Sequence, residues 1–170
     1  MIVLGVDPGS RATGYGVVRS NGQQHQCLTY GCIRRPADSD LPQALRKIYE
    51  QLNSIVSSYQ PEAIAVESLF HAANVKSALT LGHARGIVLL CAAVHNLALH
   101  EYSPLEIKKS LAGYGRAEKS QLQEMAKLLL NLRSVPEPND ASDALAVAIC
   151  HIHQQAFRAR LAAPPMRTVR

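Results

Sequence analysis

The amino-acid sequence predicts an α/β fold in which an antiparallel start leads into parallel strands joined by helices. Three short apolar strands come first, and two further apolar strands follow at intervals. Segments with apolar residues at three- and four-residue steps separate them, as amphipathic helices do. With 170 residues, 47% of them hydrophobic, the chain is long enough for one compact domain with a substantial core.

The first three predicted strands cover residues 2–7, 13–19 and 27–33. Each is rich in apolar or β-branched residues, and Asn21-Gly22 between the second and third is a typical hairpin turn. These strands therefore form the antiparallel part of the sheet.

Helices and strands alternate in the middle of the chain. The apolar periodicity of residues 41–59 predicts an amphipathic helix that ends before Pro61. Residues 63–67 and 98–102 are short apolar strands, and residues 74–94 form a helix rich in small and apolar residues between them. That composition predicts close packing against another helix, for which a dimer interface is one interpretation.

The segment after the fifth strand is basic, contains Lys108 and Lys109, and continues into a flexible loop at residues 113–116. Two helices follow, at residues 118–132 and from residue 140 to about residue 156. A Pro-Glu-Pro breaker separates them.

Residues 1–157 are predicted to form one domain, and residues 158–170 a disordered basic tail. The net charge of +5 suggests a polyanionic partner. However, the tail holds four of the 18 basic residues and no acid, which leaves 14 basic against 13 acidic residues in the rest of the chain. Overall charge is therefore weak evidence for nucleic-acid binding.

Cysteine usage and the N-terminal residues indicate a soluble, cytoplasmic protein. The four cysteines include no CxxC pair, which argues against a zinc ribbon or a thioredoxin-like site and favours reduced thiols. The apolar run at the N-terminus lacks a basic region and ends at Asp7, unlike a signal peptide. The Cys-His-Ile-His run at residues 150–153 places adjacent side chains in different directions on a helix, so they cannot readily converge on one metal ion.

Two acidic residues end predicted strands, Asp7 and Glu67. A carboxylate there is unfavourable unless it is paired or binds a cation, although Asp7-Pro8-Gly9 is also good turn chemistry. In parallel strands the two side chains would emerge at the same edge of the sheet. The sequence therefore predicts that they can share a cation.

Asp140 and Asp143 lie in the first turn of the last helix, on neighbouring positions of one face. Acids there could simply cap the helix and complement its dipole. The helical phase favours a further role, because Asp140 is one turn before Ala144 on the stripe predicted to be buried. Four carboxylates suit Mg²⁺ or Mn²⁺, and two such ions about 4 Å apart support phosphodiester hydrolysis.

Three motifs resemble the RuvC family of Holliday junction resolvases: GVDPGSRATGYG at residues 5–16, AVESLF at residues 65–70 and DASDALAVA at residues 140–148. The similarity runs in register from about residue 1 to residue 153. It implies a ribonuclease H-like fold, with a five-stranded mixed sheet flanked by helices. It also implies a homodimer that nicks two symmetry-related strands of a four-way DNA junction in recombination and repair.

The resemblance implies roles for individual residues. Lys108 and Lys119 match lysines near the scissile phosphate and DNA backbone, and Phe70 matches an aromatic residue that stacks on a base at the opened crossover. From the residues alone, the lysines could equally belong to a solvated face and Phe70 to the core. Mg²⁺ is the implied ion, with Mn²⁺ as a substitute and two ions per subunit, and RuvA and RuvB are the implied partner proteins. The catalytic and metal-binding acids of the family match Asp7, Glu67, Asp140 and Asp143.

Two other functions fit part of the pattern. The turn after the first strand also resembles the phosphate loop of actin-like and sugar-kinase ATPases, but these need a second nucleotide-binding half, for which 170 residues leave no room. A nuclease-like module that binds branched nucleic acid without cutting would have lost part of the acidic quartet, which is complete here.

Overall fold

The computed structural model describes residues 1–35, 39–68 and 75–162. Within these ranges, five strands and five helices follow in chain order. The strands are β1 (Ile2–Pro8), β2 (Ala12–Ser20), β3 (His25–Arg34), β4 (Ala63–Glu67) and β5 (Ala98–Tyr102). The helices are α1 (Leu41–Tyr59), α2 (Val75–Val94), α3 (Pro104–Ala112), α4 (Lys119–Leu129) and α5 (Asn139–Ala162).

The five strands form one mixed sheet in the order β3-β2-β1-β4-β5. The first three strands pair antiparallel, and β4 and β5 continue the sheet parallel to β1. This confirms the predicted α/β architecture. Val6 pairs with Val66, so the next residue of each strand, Asp7 and Glu67, lies at the same edge of the sheet.

Helices cover both faces of the sheet. Val3 belongs to the core beneath α3, α4 and α5, whereas its neighbour Leu4 belongs to the core beneath α1 and α2. Because side chains alternate along a strand, Gly5 and Asp7 lie on the same face as Val3. Asp7 therefore faces the α5 side of the sheet.

Glycines let α5 approach the sheet closely. A Cβ atom at Gly5 would overlap the backbone carbonyl oxygen of Ala144, and one at Gly14 would overlap that of Asp140. Since backbone atoms cannot yield as a flexible side chain can, these contacts determine how the first two turns of α5 sit on β1 and β2.

The helix α2 has two different sides. Val88 and Cys91 are buried in the core that also contains Leu4, whereas Leu79 and Leu90 are 60% and 50% exposed. By length and composition alone, the stretch Ser77–Val94 resembles a membrane span, a test that core helices of soluble proteins also pass. The buried side shows that this helix is part of the folded domain.

The segment predicted only as basic is the helix α3. Ser103 accepts a hydrogen bond from the backbone N–H of Glu106, and the Glu106 carboxylate accepts one from the backbone N–H of Ser103. This capping box, with Pro104 in the first helical turn, is a recognisable helix start. The prediction missed a signal that was present in the sequence.

The helix α5 continues to Ala162, beyond its predicted end near residue 156. Residues 158–162 were predicted to belong to a disordered tail, and that part of the prediction is wrong. They extend the helix because no proline or glycine interrupts it before Pro164. Residues 163–170 lie outside the described ranges.

Candidate active site

The four predicted acids meet at the carboxyl edge of β1 and β4. Asp7 and Glu67 lie at the carboxyl ends of these neighbouring parallel strands and point toward α5, which carries Asp140 in its first turn and Asp143 just after it. Asp7, Glu67 and Asp140 line a cleft of about 620 Å³. Asp143 lines an adjoining pocket, to which Glu67 also contributes.

Strand register explains why Asp140 joins this group. Asp7 pairs with Gly14, and Gly14 pairs with Cys32 on the far side, so these three residues form a row across the sheet. Directly paired residues point to the same face. The backbone of Asp140 rests on Gly14, which brings its carboxylate to the Cys32 thiol and near enough to Asp7 to affect the charge of that acid.

Burial and the nearness of other carboxylates raise the pKa values of Asp7 and Glu67. Burial and the charges of the other three acids raise the pKa of Asp7 to about 7. Burial, together with the charge of Asp143, also raises the pKa of Glu67. Carboxylates with such pKa values are held near one another at an energetic cost that a cation relieves.

Lys119 supplies positive charge at the edge of the cleft. Its Nζ donates a hydrogen bond of 2.6 Å to Oδ2 of Asp143. Burial opposes the charged form, but this bond and the nearby charges of Asp7 and Asp140 raise the pKa of Lys119 overall. The ammonium group therefore stays protonated and offsets part of the rise in the pKa of Asp7 and Glu67.

Of the other residues considered for DNA contact, the structure describes Lys108 and Lys109 but not Phe70. Lys108 lies half-buried on α3 and lines the same small pocket as Glu67 and Asp143. Phe70 lies outside the described residues. Lys109 is exposed on the same helix.

Two residues that sequence reasoning missed also border the acids. The Cys32 thiol donates to Oδ2 of Asp140 at 3.9 Å, and burial and the charge of Asp140 raise the pKa of that thiol. Ser68 lines the cleft beside Glu67. Only the β2–β3 register could have pointed to Cys32, whereas Ser68 adjoins a predicted acid in the sequence.

The oxygen-rich donor set fits a hard divalent cation. Across residues 1–35, 39–68 and 75–162, no three His, Cys, Asp or Glu side chains are drawn together into a ready-made metal-binding group. Mg²⁺ does not need such a cage, because it keeps several water ligands and uses one or two carboxylates. Four carboxylates distributed over an open cleft and its adjoining pocket match that requirement better than the closed tetrahedral set of a structural zinc site.

Comparison with known proteins identifies the family. The family model described as crossover junction endodeoxyribonuclease RuvC matches residues 3–151. The crossover junction endodeoxyribonuclease RuvC of Alkaliphilus oremlandii is 50% identical over 157 residues, which are 92% of this chain and 96% of that protein. The same enzyme of Desulforamulus reducens is 49% identical over 151 residues, 89% of this chain and 93% of the relative.

Solved structures of Holliday junction resolvases have the same fold as this chain. Thermus thermophilus RuvC in complex with a Holliday junction substrate superposes with a TM-score of 0.89 at 29% identity, covering 93% of this chain and 96% of that one. The yeast mitochondrial Holliday junction resolvase Ydc2 shares the fold, with a TM-score of 0.65 at 15% identity over 94% of this chain and 81% of its own. The ribonuclease H-like fold is thereby confirmed. The chain belongs to the RuvC family and is a crossover junction endodeoxyribonuclease.

Proposed function

We propose that this enzyme resolves four-way DNA junctions by paired, symmetric, metal-dependent hydrolysis of phosphodiester bonds in homologous recombination and repair. The observation that carries the proposal is the cluster of Asp7, Glu67, Asp140 and Asp143, in which burial and mutual repulsion raise the pKa of Asp7 to about 7. The related Thermus thermophilus RuvC, solved with a Holliday junction substrate, aligns with 93% of this chain.

The acids would hold Mg²⁺, with Mn²⁺ as a substitute and two ions per subunit. When bound, such ions activate water and stabilise the leaving oxygen of a phosphodiester. Oxygen donors on two strands and one helix fit this role. The residues that would bind the ions are Asp7, Glu67, Asp140 and Asp143.

The lysines would orient the DNA. Lys119 is fixed by Asp143, so its ammonium group has a defined position beside the acids and can attract the phosphate that the acids by themselves repel. Lys108, which lines the pocket of Glu67 and Asp143, would contact the backbone next to it. Phe70 would stack on a base at the crossover.

A homodimer formed through α2 would supply two active sites. The outer side of this helix exposes an apolar surface, whereas its inner side is anchored in the core. A two-fold dimer presents identical sites to a junction with two-fold symmetry, which accounts for paired nicking. The exposed apolar residues are Val75, Leu79, Leu89, Leu90 and Val94.

We also propose that the enzyme acts in the cytoplasm, with RuvA and RuvB as its branch-migration partners, as the family resemblance implies. Co-purification of the three proteins on a four-way junction would test the partnership.

Cleavage of a synthetic four-way junction tests the central proposal. Each strand carries a separate label, and the protein is added with Mg²⁺ or with a chelator, alongside Asp7→Asn. Nicks at symmetric positions in two opposing strands, only with metal and wild-type protein, are expected. Tight junction binding without nicks under any divalent ion would instead favour a binding module.

A further inference from the structure

We propose that Tyr114, in the loop between α3 and α4, is an aromatic platform on which an unpaired base of the junction stacks, next to the helical turn that carries Lys119. The inference rests on the proposed function and adds a DNA contact to it. It arises from the way this loop is built, from the exposure of the ring and from the charges around it.

Tyr114 lies between two glycines, Gly113 and Gly115. Gly113 ends α3 in the left-handed region, with φ of 82°, and its N–H donates to the carbonyl oxygen of Lys109 at 3.0 Å. A Cβ atom at Gly115 would collide with the side chain of Leu105. The backbone before Tyr114 is therefore fixed by the end of α3, and the Leu105 side chain packs against the backbone after it.

The phenol group is fixed as well. The Tyr114 hydroxyl donates to Oε1 of Gln121 at 2.9 Å, and the same oxygen accepts the backbone N–H of Glu118. Gln121 and Glu118 cap the first turn of α4. Tyr114 is thus tied to the helical turn that carries Lys119.

The ring nevertheless remains available to a ligand. Tyr114 is 48% exposed, although its hydroxyl is engaged. A tyrosine that served only to cap α4 could bury its ring against the helices. An amphipathic aromatic side chain with one polar end fixed and its face accessible is a common feature of binding surfaces.

Three basic residues belong to the segments on either side of Tyr114 and suit this region to nucleic acid. Arg116 is exposed two residues along the chain, and the Lys109 side chain passes within 3.7 Å of the Cβ position of Gly115. Lys119 connects the same turn of α4 to Asp143. Base stacking on an aromatic ring flanked by phosphate-binding cations is the usual way to hold an unpaired strand.

A single tryptophan tests the contact directly. The chain contains no tryptophan, so Tyr114→Trp introduces a unique fluorophore. Addition of a four-way junction should quench its emission, because a stacked base quenches indole. Tyr30→Trp, at a tyrosine 36% exposed on β3, is the matched control and should keep its emission. Equal emission of the Tyr114→Trp protein with and without junction would overturn the inference.

Affinity measurements separate stacking from anchoring. Tyr114→Leu should weaken binding to the four-way junction about 5- to 150-fold, the effect of losing one stacked base. Tyr114→Phe keeps the ring and should bind within about threefold of wild type. Binding of intact duplex should change in neither variant, and equal losses for duplex and junction would exclude stacking on an unpaired base.

The outcomes distinguish this inference from the proposed function. If wild-type protein fails to cut the junction, the proposed function is wrong. If wild-type protein cuts and Tyr114→Leu binds and cuts equally well, only the role of Tyr114 is wrong. Should Tyr114→Leu fail to fold, as judged by circular dichroism, the quenching experiment with Tyr114→Trp still decides the question.

Discussion

The Nζ of Lys119 lies 2.6 Å from Oδ2 of Asp143, which ties the first turn of α4 to the N-terminal part of α5. Through this ion pair, a positively charged side chain contacts the group of acids formed by Asp7, Glu67, Asp140 and Asp143. The Lys119 ammonium group holds the Asp143 carboxylate in place and offsets part of the rise in the pKa of Asp7 and Glu67.

Lys119→Met should reduce junction cleavage on the order of 100-fold, because it removes the oriented cation that we propose binds the reacting phosphate. The pKa of the buried acids should rise without this cation, so the acidic limb of the rate profile should move to higher pH. Single-turnover rates across pH 6 to 9 measure both effects. Lys119→Arg should retain part of the rate, and Lys127→Met, which affects only the pair with Glu124, should behave as wild type.

Replacement of a single acid by its amide should abolish most cleavage while junction binding stays largely intact. The amide removes a charged oxygen ligand, but it does not weaken the attraction of the lysines for phosphate. Cleavage and gel-shift assays on the same preparations compare the two properties. Parallel loss of binding and cleavage would indicate a structural role. The variants are Asp7→Asn, Glu67→Gln, Asp140→Asn and Asp143→Asn.

The stability of the metal-free protein should depend on pH through Asp7. Its pKa is raised from 3.8 to about 7 in the folded chain, so the folded state binds the proton more tightly than the unfolded state does. The free energy of unfolding should therefore fall as pH rises from about 4 to about 7, by up to the order of 4 kcal/mol.

Asp7→Asn removes this titration and should lose less stability over the same range. Thermal unfolding in chelator at several pH values measures the difference between the two proteins. Addition of Mg²⁺ at pH 7 should then raise the melting temperature of wild type more than that of the variant. Identical pH profiles for the two proteins would contradict the prediction.

Gly14→Ala should displace α5 and impair both folding and cleavage. The added methyl group would overlap the backbone carbonyl oxygen of Asp140, and overpacking of this kind costs about 1–3 kcal/mol or more. Chemical denaturation and cleavage rates measure the two effects. Gly82→Ala makes the same change where no atom lies within 4 Å, so it should leave stability unchanged or slightly raised.

Charged residues on the outer side of α2 should dissociate the proposed dimer. Leu79→Lys combined with Leu90→Lys places like charges on the apolar surface, and light scattering should then report a monomer. Junction cleavage should change from paired to single nicks. Leu128→Lys, at an exposed leucine on α4, is the control. A wild-type monomer even with junction DNA would exclude this account.

Much of the fold was predictable because local patterns agreed with it. The predicted bounds of α1, β4 and β5 match the structure residue for residue, since apolar periodicity and the breaker Pro61 mark them clearly. The predicted helix at residues 118–132 shortens to Lys119–Leu129. The capping box that begins α3 was visible in the sequence but was not recognised.

The sequence alone determined which acids to examine, because carboxylates that end apolar strands or begin a helix stand out by position. Only the tertiary structure decided their relationships. Cys32 and Asp140 are 108 residues apart, and Lys119 and Asp143 are 24 apart. Their contacts depend on strand register and on how closely α5 packs against Gly5 and Gly14. Such proximity, and the raised pKa that follows from it, arises from packing between distant segments, which no local pattern encodes.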